Sequence, residues 1–597
     1  MGLLPITGKE ILMRRNNLSL AVFIGCACCI GAFAETPIQN AMSRVLTRMG
    51  DALTEEQLMK ADAATIAPFI TDEDRRVFAT QYWRFNANVP VVVSVLRDEK
   101  QPVAPFWLEE TGFKKTDLRA RNEEYTYEVW QKAFEAGCIG LGINGFDKHR
   151  PHYFVVVGPQ RPGDKVELTH FFPVDQTIFE MKAGSYTYHD WPDLVLTDVP
   201  DELKGQILLP TIRGRAREAH LIGAFRKTPY PSTKTPDHVL LTWNGDPRTT
   251  QAIQWRCQSP GGTVRYREAG TENNAPWIEA KPACRPLVDR LILNDRETYR
   301  CTAALEGLKP GTRYAYSIEP AGVAAEFTTA PAGNEPFTFF WLSDTHNNPV
   351  TGELLAAGLA RYPKPAFCTI SGDLVGTGQH RDDWDCLFNH AAAFTPSFPV
   401  MPSMGNHDNI DGMGPELYCA MFALPANGPG GLETGRAYHF QYGDALFLMP
   451  DVTAPVEMQA PWIERQLQEK TAAWTFAVLH FPPYAPDDEN PEIVEHWLPL
   501  FDQYHVDFVL TGHVHHYLRT YPMNAGKRAE STRDGTIYCI TVSVGGGPQA
   551  FPKPEYAAVF DASGTPLVVA FEVNSKTVTS RAFDKDGHIV DEYTVSK

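Results

Sequence analysis

The segment Phe337-Thr-Phe-Phe-Trp-Leu-Ser-Asp-Thr-His346 decides the fold of the chain. Its first six residues are aromatic, aliphatic or β-branched, which is typical of a buried β-strand. Asp344 and His346, two side chains that can bind a metal, follow where this strand would end. An open α/β sheet places its functional site outside the carboxyl ends of its strands. The segment therefore predicts a strand of an α/β domain with a candidate site at its end.

Four more apolar runs end in the same way. They are Phe367–Ile370 before Asp373, Pro399–Met404 before Asn406 and His407, Thr475–Leu479 before His480, and Asp507–Leu510 before His513 and His515. Helical patterns lie between the runs, for example at Glu353–Arg361 and at Trp462–Lys470, where Pro461 suits the first helical position. The alternation predicts a layered α/β domain at residues 333–597.

The side chains at these five ends indicate a site for two metal ions. They offer oxygen and imidazole donors without thiolates, which suits divalent or trivalent Zn, Fe or Mn. A bridging carboxylate can hold two ions about 3.5 to 4 Å apart, close enough for both to bind one phosphoryl group. The net charge of -18 excludes a surface that attracts nucleic acid or an anionic membrane. Two cations beside Asp344 and Asp373 would make the site locally positive and admit a phosphate ester.

The chain before residue 333 is predicted to form two further domains. At 231–332, short alternating strands near 239–243, 253–257, 264–267, 314–318 and 325–328 predict a β-sandwich, and Leu305–Tyr316 resembles the later part of a fibronectin type III domain. Residues 35–230 are predicted to form a β-rich accessory domain without a chemical motif. Thr54 with Gln57 predicts a capped helix to about Ala64 in this domain. Contact with a surface or a glycan is its candidate role.

Residues 1–34 are typical of an export signal. Basic residues precede the apolar run Leu18–Ala34, which ends in the small-x-small pattern that an export peptidase cuts. The run is shorter than the roughly 20 residues of a spanning helix. We therefore expect a periplasmic, secreted or surface-attached protein with no transmembrane segment beyond the leader. A retained anchor and lipid attachment at Cys26 are the alternatives.

The cysteines outside the predicted leader do not indicate a structural zinc site, because no two of them form a Cys-x-x-Cys pair. In an oxidising compartment, the first candidates for disulfides are Cys257, Cys284 and Cys301, which share one β-rich stretch, and Cys386 with Cys419. Buried free thiols are the alternative.

Together, the five motifs resemble the calcineurin-like metallophosphoesterase superfamily, and the preceding sandwich makes the arrangement similar to purple acid phosphatases. Gly512–Arg519, Pro482-Pro483-Tyr484 and Leu241–Pro247 support the narrower match. The resemblance covers about 230–597 and implies that the α/β domain at 333–597 is a β-sandwich flanked by helices. It implies hydrolysis of small or polymer-linked phosphate monoesters by a hydroxide that bridges two metal ions. A phosphodiesterase and an inactive surface- or glycan-binding protein are the alternatives.

The resemblance also assigns roles to individual residues. One ion would be held by Asp344, His346 and His515, the other by Asn406, His480 and His513, and Asp373 would bridge them. His407 would contact the phosphate and protonate the leaving oxygen. Candidate pocket residues are Asp408, Tyr484, Tyr517 and Arg519. For Asp408, the alternatives are a hydrogen bond that orients His407 and capping of the following turn. For the other three, the alternative is structural support of the loops.

One position departs from the purple acid phosphatase pattern. Those enzymes place a tyrosine, a ligand to ferric iron, three residues after the bridging aspartate, and Gly376 stands there in this chain. His346 supplies an Asp-x-His pair that other calcineurin-like enzymes have. The departure predicts a colourless protein.

Overall fold

The computed structural model of the protein describes residues 36–149, 151–173, 176–187, 194–211, 218–270, 276–409, 414–486, 490–545 and 551–597. The predicted leader at 1–34, with Cys26, lies outside these residues. Within the described ranges, no helix combines the length and the apolar character needed to cross a membrane. Three regions follow one another along the described chain, each with its own sheets.

Helices open the first region, and two sheets follow. The helices are α1 (Pro37–Ala52), α2 (Glu55–Met59), α3 (Ala63–Ile66), α4 (Asp72–Thr80) and α5 (Trp107–Glu110), with a 3-10 turn at Ala67–Phe69. The strands are β1 (Trp83–Ala87), β2 (Val91–Asp98), β3 (Lys114–Asn122), β4 (Thr126–Phe134), β5 (Gly137–Leu141), β6 (Phe154–Pro159), β7 (Leu168–Phe172), β8 (Phe179–Glu180), β9 (Leu196–Asp198) and β10 (Ile207–Leu209). One sheet has the order β5-β1-β7 and the other β8-β10-β6-β2-β4-β3-β9. The region is β-rich, as predicted, but its first part is more helical than the sequence indicated.

The helix predicted from Thr54 is shorter than expected. Thr54 caps α2 as predicted, because its side chain accepts from the backbone N–H of Gln57 while its own N–H donates to the Gln57 side chain. The helix ends at Met59, and the Asp62 side chain caps a new helix by accepting from the backbone N–H of Thr65. The prediction of one helix to Ala64 was wrong because it merged two short helices.

The second region is a β-sandwich. Its strands are β11 (Asp237–Thr242), β12 (Gln251–Cys257), β13 (Thr263–Glu268), β14 (Ile278–Ala280), β15 (Ala283–Val288), β16 (Glu297–Leu305), β17 (Arg313–Glu319) and β18 (Val323–Thr328). They form two four-stranded sheets, β11-β12-β16-β15 and β14-β13-β17-β18. Trp255 of the first sheet and Val264 and Tyr316 of the second belong to one buried core. Inward-facing residues of two sheets that share a core define a sandwich.

Among the described cysteines, only Cys284 and Cys301 form a disulfide, which joins β15 to β16. Cys386 and Cys419 are thiols, so their candidate pairing was wrong. Burial raises the pKa of Cys386 to about 11 and the pKa of Cys419 to about 12. Both thiols therefore stay protonated and unreactive at neutral pH.

The third region contains two large sheets and six helices among its described residues. The helices are α6 (Val350–Arg361), α7 (Arg381–His390), α8 (Glu416–Met421), α9 (Val456–Glu469), α10 (Pro491–His496) and α11 (Leu498–Gln503). The strands are β19 (Phe337–Leu342), β20 (Phe367–Ser371), β21 (Val400–Ser403), β22 (Tyr438–Tyr442), β23 (Ala445–Met449), β24 (Trp474–Val478), β25 (Phe508–Thr511), β26 (Tyr517–Thr520), β27 (Met523–Asn524), β28 (Lys527–Arg528), β29 (Ile537–Ile540), β30 (Ala557–Asp561), β31 (Val568–Val573), β32 (Thr577–Phe583) and β33 (Ile589–Ser596). The sheet orders are β21-β20-β19-β31-β32-β33 and β22-β23-β24-β25-β29-β26-β30, and β27 pairs with β28.

An aromatic core joins these two sheets. The ring of Phe339 in β19 lies 4.9 Å from that of Phe571 in its own sheet, and 5.2 Å and 5.3 Å from those of Phe447 and Phe476 in the other. All four side chains are fully buried. Strands β19, β20 and β21 run parallel to one another, as do β23, β24 and β25. The carboxyl ends of each parallel set therefore lie side by side.

Helix α9 begins at Val456, before the predicted start, so Pro461 lies inside it. The Gln459 side chain accepts from the backbone N–H of Asp451 (3.0 Å) and donates to the carbonyls of Asp451 (2.6 Å) and Pro455 (3.3 Å). These bonds anchor the first turn although the proline has no N–H to contribute. The predicted first-position proline was wrong for this reason.

Buried ion pairs join the sandwich to the third region. Arg256 of β12 lies 2.8 Å from Asp385 of α7, and Arg381 of α7 lies 3.0 Å from Asp385 and 3.2 Å from Asp295. All four side chains are buried. Removing one partner of such a pair leaves an uncompensated buried charge. Helix α7 is therefore fixed against the sandwich.

Truncation of Phe339 tests the aromatic core. Phe339→Ala should lower the free energy of unfolding by about 3 to 5 kcal/mol, because it removes a buried ring and leaves a cavity. Denaturant unfolding of the full chain measures the change. Phe551→Ala is the control, since Phe551 is 37% exposed, and it should cost much less. Equal losses in the two variants would contradict the packing described above.

Candidate metal centre

The five predicted strand ends meet at one edge of the third region. Strands β19, β20 and β21 of one sheet end before Asp344, Asp373 and Asn406, whereas β24 and β25 of the other sheet end before His480 and His513. The side chains come together because the sheets face each other and their parallel strands end on the same side.

Asp344, His346 and His515 form a first group of donors. Nε2 of His515 lies 3.4 Å from Oδ1 of Asp344, and Nε2 of His346 lies 3.8 Å from the same oxygen. One ligand atom from each residue lies within 4.8 Å of the others. The structure thus brings together the three residues predicted to hold one ion.

Asp373, His480 and His513 form a second group that meets the same 4.8 Å limit. Nε2 of His480 lies 3.2 Å from Oδ1 of Asp373 and 3.0 Å from Oδ1 of Asn406. The other oxygen of Asp373, Oδ2, lies 3.7 Å from Nε2 of His346 in the first group. Asp373 therefore reaches both groups with different oxygen atoms, as a bridging ligand must.

The donors fit transition-metal ions. Nε2 of His346 is buried and has no hydrogen-bond partner among the residues that the structure describes, although buried polar atoms are normally satisfied. The five donor separations given above run from 3.0 Å to 3.8 Å. Atoms about 2.1 Å from a shared ion, with bond angles of about 90° to 130°, would be about 3.0 to 3.8 Å apart. Imidazole, carboxylate and amide donors suit Zn, Fe or Mn.

A hydrogen bond decides which nitrogen of His480 faces the site. Its Nδ1 donates to the carbonyl oxygen of Ser371 (2.8 Å), and a carbonyl only accepts, so Nε2 is the nitrogen that faces the donor group and would bind a metal ion after losing its proton. Burial disfavours the charged imidazole, yet the Asp373 carboxylate raises the pKa of His480 to about 9. The buried carboxylates therefore require positive charge, which an imidazolium or a metal cation can supply.

Backbone strain concentrates at the candidate ligands. The φ angles of Asp344, His346, Asp373 and His513 are 51°, 41°, 51° and 71°. A residue with a side chain pays about 1 to 3 kcal/mol for such an unusual conformation, which persists only where the surrounding structure enforces it. The fold thus holds these four residues in place at a cost in stability.

Glycines next to the ligands give the loops the room they need. A Cβ on Gly512 would lie 2.2 Å from Oδ2 of Asp344, and a Cβ on Gly405 would lie 2.2 Å from the backbone N of Asp373. Gly372 is confined in the same way. The glycines of the sequence motifs are therefore steric requirements of the crowded ligand loops.

His407 is held at three points. Its backbone N–H donates to Oδ1 of Asp373, its backbone carbonyl accepts from the N–H of Gly378, and its Nδ1 donates to the carbonyl of Gly376, each at 2.8 Å. Its Nε2 lies 3.9 Å from Oδ2 of Asp373, and the side chain is 24% exposed. Nε2 therefore faces the donors from a side that solvent reaches. One ligand atom each of His346, Asp373 and His407 lies within 4.8 Å of the others, so His407 could also serve as a metal ligand.

Asp408 plays a part that neither predicted alternative described. Its Oδ1 accepts from the backbone N–H groups of Leu374 (2.9 Å) and Val375 (3.2 Å), and its Oδ2 accepts from that of Gly405 (2.9 Å). Burial and the Asp373 carboxylate raise the pKa of Asp408 well above its usual range. Asp408 braces the two loops that carry Asp373 and the neighbouring ligands.

Sequence reasoning also missed groups that hydrogen-bond to candidate site residues and orient them. The hydroxyl of Ser343 donates to Oδ2 of Asp344 (2.7 Å), and backbone carbonyls of Ser371 and Gly376 orient the two imidazoles described above. The role of Ser343 could have been suspected from the sequence, because a small polar residue lies there between the end of β19 and the ligand Asp344. A backbone carbonyl leaves no signal in the residue type.

Three predicted pocket residues have other partners. The hydroxyl of Tyr517 donates to Asp591 (2.9 Å), and Nε of Arg519 donates to the same carboxylate (2.7 Å), which lies in β33. The Tyr484 ring packs 4.7 Å from that of Tyr538. These contacts favour the structural alternative for Tyr517 and Arg519, because their polar atoms are bound to the last strand.

Two protein families match the chain. The calcineurin-like phosphoesterase family matches residues 337–517, and the N-terminal domain of purple acid phosphatases matches residues 236–339. The second match overlaps the β-sandwich, and the first contains all seven candidate metal ligands.

Relatives and a solved structure are similar over longer segments. An uncharacterized protein of Mycobacterium tuberculosis is 29% identical over 318 residues, which cover 43% of this chain and 59% of that protein. Purple acid phosphatase 23 of Arabidopsis thaliana is 26% identical over 290 residues, covering 40% and 61%. The chain thus spans about three fifths of the length of these curated relatives.

The structure of purple acid phosphatase PPD1 from yellow lupin seeds has a TM-score of 0.53 at 14% identity, with 86% of this chain and 93% of that chain covered. This likeness shows a shared fold. Both the predicted resemblance and the predicted fold class are confirmed. The chain thus contains a calcineurin-like metallophosphoesterase domain directly after a purple acid phosphatase N-terminal domain.

Proposed function

We propose that the protein is an exported phosphomonoesterase that uses two transition-metal ions. The observation that carries the proposal is the position of Asp373, whose two oxygens lie 3.2 Å and 3.7 Å from imidazole nitrogens of separate donor groups. The calcineurin-like phosphoesterase match supports phosphate-ester hydrolysis. The sequence of residues 1–34 supports export to the periplasm, the medium or the cell surface.

The proposed ligands are Asp344, His346 and His515 for one ion, Asn406, His480 and His513 for the other, and Asp373 for both. When bound, the ions would withdraw charge from the phosphoryl oxygens and lower the pKa of the attacking water. Hydrogen bonds already orient several ligands: the backbone N–H of His513, for example, donates to Oδ2 of Asp344 (2.9 Å). Such outer contacts reduce the rearrangement that metal binding requires.

His407 is the proposed general acid. Its Nδ1–H is bound to the Gly376 carbonyl, so Nε2 is the nitrogen that can give a proton to the leaving oxygen. In its protonated form, Nε2–H also stabilises the negative charge that develops on the phosphoryl oxygens. The 24% exposure of the side chain leaves room for an ester to reach it.

Monoesters are favoured over diesters because the chain carries a purple acid phosphatase N-terminal domain and is similar to purple acid phosphatases. Release of the phenol from a mono-aryl and a bis-aryl phosphate separates the two, because a diesterase converts the bis-aryl ester into a phenol and a mono-aryl phosphate without releasing free phosphate. Faster turnover of the bis-aryl ester would favour the phosphodiesterase alternative. No turnover of either ester by metal-loaded protein would favour the inactive binding protein, with 35–230 as its candidate contact region.

Two alanine variants separate metal binding from acid catalysis. Asp373→Ala should lose both ions, because Asp373 reaches both donor groups. His407→Ala should keep about two ions per chain but lose about 100-fold to 10,000-fold in turnover. Elemental analysis and phosphate release on the same samples measure both effects.

Glu530→Ala, at an exposed glutamate of the same region, is the control and should change neither quantity. Loss of an ion from His407→Ala would make His407 a ligand. Wild-type turnover and metal content in both site variants would contradict the roles of Asp373 as bridging ligand and His407 as general acid.

A methyl group at Gly512 should abolish metal binding. The Cβ of Gly512→Ala would lie 1.8 Å from the Ser343 hydroxyl oxygen and 2.2 Å from the Asp344 carboxylate, so the ligand loops must separate. Gly430→Ala is the matched control, since no atom lies within 4 Å of its Cβ position. Isothermal titration with Zn or Mn should show binding to the control and none to Gly512→Ala. Equal affinity would contradict the described geometry.

Iron-loaded protein should show no iron–phenolate band in its visible spectrum. Gly376 has no side chain, and the Asn347 amide oxygen and the Asp383 carboxylate lie 3.5 Å and 3.4 Å from where its Cβ would be. Absorption spectra of the protein with and without ferric iron test this. A strong visible band would require a tyrosine ligand and would contradict the proposed ligand set.

A further inference from the structure

The loop Gly376–Gly378 connects His407 to two residues without a role so far. It lies between Asp373 and α7, and both of its glycines hydrogen-bond to His407. We propose that Asn347 and Trp384 are positioning residues for His407 and that they act through the backbone of this loop. The catalytic consequence rests on the proposed function.

Asn347 holds the first part of the loop. Its backbone N–H donates to the carbonyl of Leu374 (2.9 Å), and its Oδ1 accepts from the N–H of Gly376 (2.9 Å). The carbonyl of Gly376 in turn accepts from Nδ1 of His407 (2.8 Å). Gly376 thus links Asn347 to His407, because its N–H donates to the Asn347 side chain and its carbonyl accepts from the His407 imidazole.

Trp384 holds the second part of the loop. Its indole N–H donates to the carbonyl of Gly378 (2.8 Å), and the N–H of Gly378 donates to the backbone carbonyl of His407 (2.8 Å). A Cβ on Gly378 would lie 1.9 Å from the carbonyl oxygen of Asp408, so the two backbones are in direct contact. Trp384 is fully buried and lies on α7. A shift of the indole would therefore be transmitted to His407.

The Gly376 carbonyl fixes both the tautomer and the direction of the His407 ring. If the carbonyl moves, the ring can turn and Nε2 no longer faces a substrate. A displacement of about 1 Å can cost about 100-fold in rate when a reacting group is misplaced. Asn347 and Trp384 are in neither donor group, so the metal content should not change.

The leaving group reveals an effect on acid catalysis. An alkoxide is a poor leaving group and needs a proton, whereas a dinitrophenolate leaves without one. A variant that misplaces the acid should therefore lose more activity on an alkyl phosphate than on dinitrophenyl phosphate. A variant that merely loosens the site should lose activity equally on both.

Four variants of the full chain test the proposal. Asn347→Gly removes the acceptor and tolerates the φ of 47° at this position, whereas Asn347→Asp keeps an acceptor oxygen. Trp384→Phe removes the indole N–H and keeps an aromatic ring. Trp497→Phe is the matched control, because Trp497 is also fully buried and donates to a backbone carbonyl, that of Val456 (3.0 Å), in a separate core.

We expect Asn347→Gly and Trp384→Phe to lower kcat on the alkyl phosphate about 10-fold more than on dinitrophenyl phosphate, with two ions per chain retained. Asn347→Asp should restore most of this difference, and Trp497→Phe should show none. Equal losses on the two esters, or no loss, would overturn the proposal.

A second measurement does not depend on activity. In protein labelled with ¹⁵N-histidine, the His407 resonance, identified by its absence in His407→Ala, should report the Nδ1–H tautomer in wild type, Asn347→Asp and Trp497→Phe. It should report a mixture of tautomers in Asn347→Gly and Trp384→Phe. An unchanged tautomer in those two variants would overturn the proposal. If the wild type hydrolysed neither ester, the proposed function would fail, and this spectrum alone would decide the positioning role.

Discussion

The burial of two carboxylates close together is the constraint on which the rest of the site depends. Asp344 is fully buried and Asp373 is 2% exposed, so neither can rely on water for solvation. Their charge must be balanced by cations within a few ångströms, and the surrounding imidazoles and metal ions are the available kinds. Positive φ angles and crowded glycines persist around them. These strained conformations lower the stability of the fold, and they are expected where loops must hold metal ligands at fixed positions.

The strand ends were predictable because the signal is local. An apolar run followed at once by Asp344, or by His480, shows both the strand and the ligand in a few residues. What the sequence did not show was which strand ends belong to which of the two facing sheets. Convergence depends on packing such as that of Phe339 against Phe447 and Phe476, and no periodicity along one strand reports the partner across the core.

Other contacts could not be predicted from the sequence for the same reason. Tyr517 and Arg519 follow the metal-ligand motif, yet their partner is Asp591, far along the chain in the last strand. Asp408 acts on backbone N–H groups, and Gly376 acts through its carbonyl. Contacts of this kind depend on the path of the backbone rather than on residue type. Pro461 looked like a helix start because the anchoring role of Gln459 is visible only in three dimensions.

The contacts also link the sandwich to the site. Arg256 of the sandwich binds Asp385 of α7, and the same helix carries Trp384, which contacts the loop behind His407. The sandwich contributes no donor to the two ligand groups, but it fixes the helix on which the loop rests. This gives a physical reason for the two matched domains to pack together. The first region reaches the same helix: Arg226 donates to Asp382 (3.0 Å) and the Thr228 hydroxyl donates to Asp385 (3.2 Å). Its role as an accessory domain stays a prediction.

The most direct test of the central claim is anomalous diffraction from crystals of metal-loaded protein, recorded on both sides of the absorption edge of the metal. The account predicts two peaks about 3.5 to 4 Å apart, one beside Asp344, His346 and His515, the other beside Asn406, His480 and His513, with Asp373 between them. A single peak, or two peaks that do not share Asp373, would contradict it.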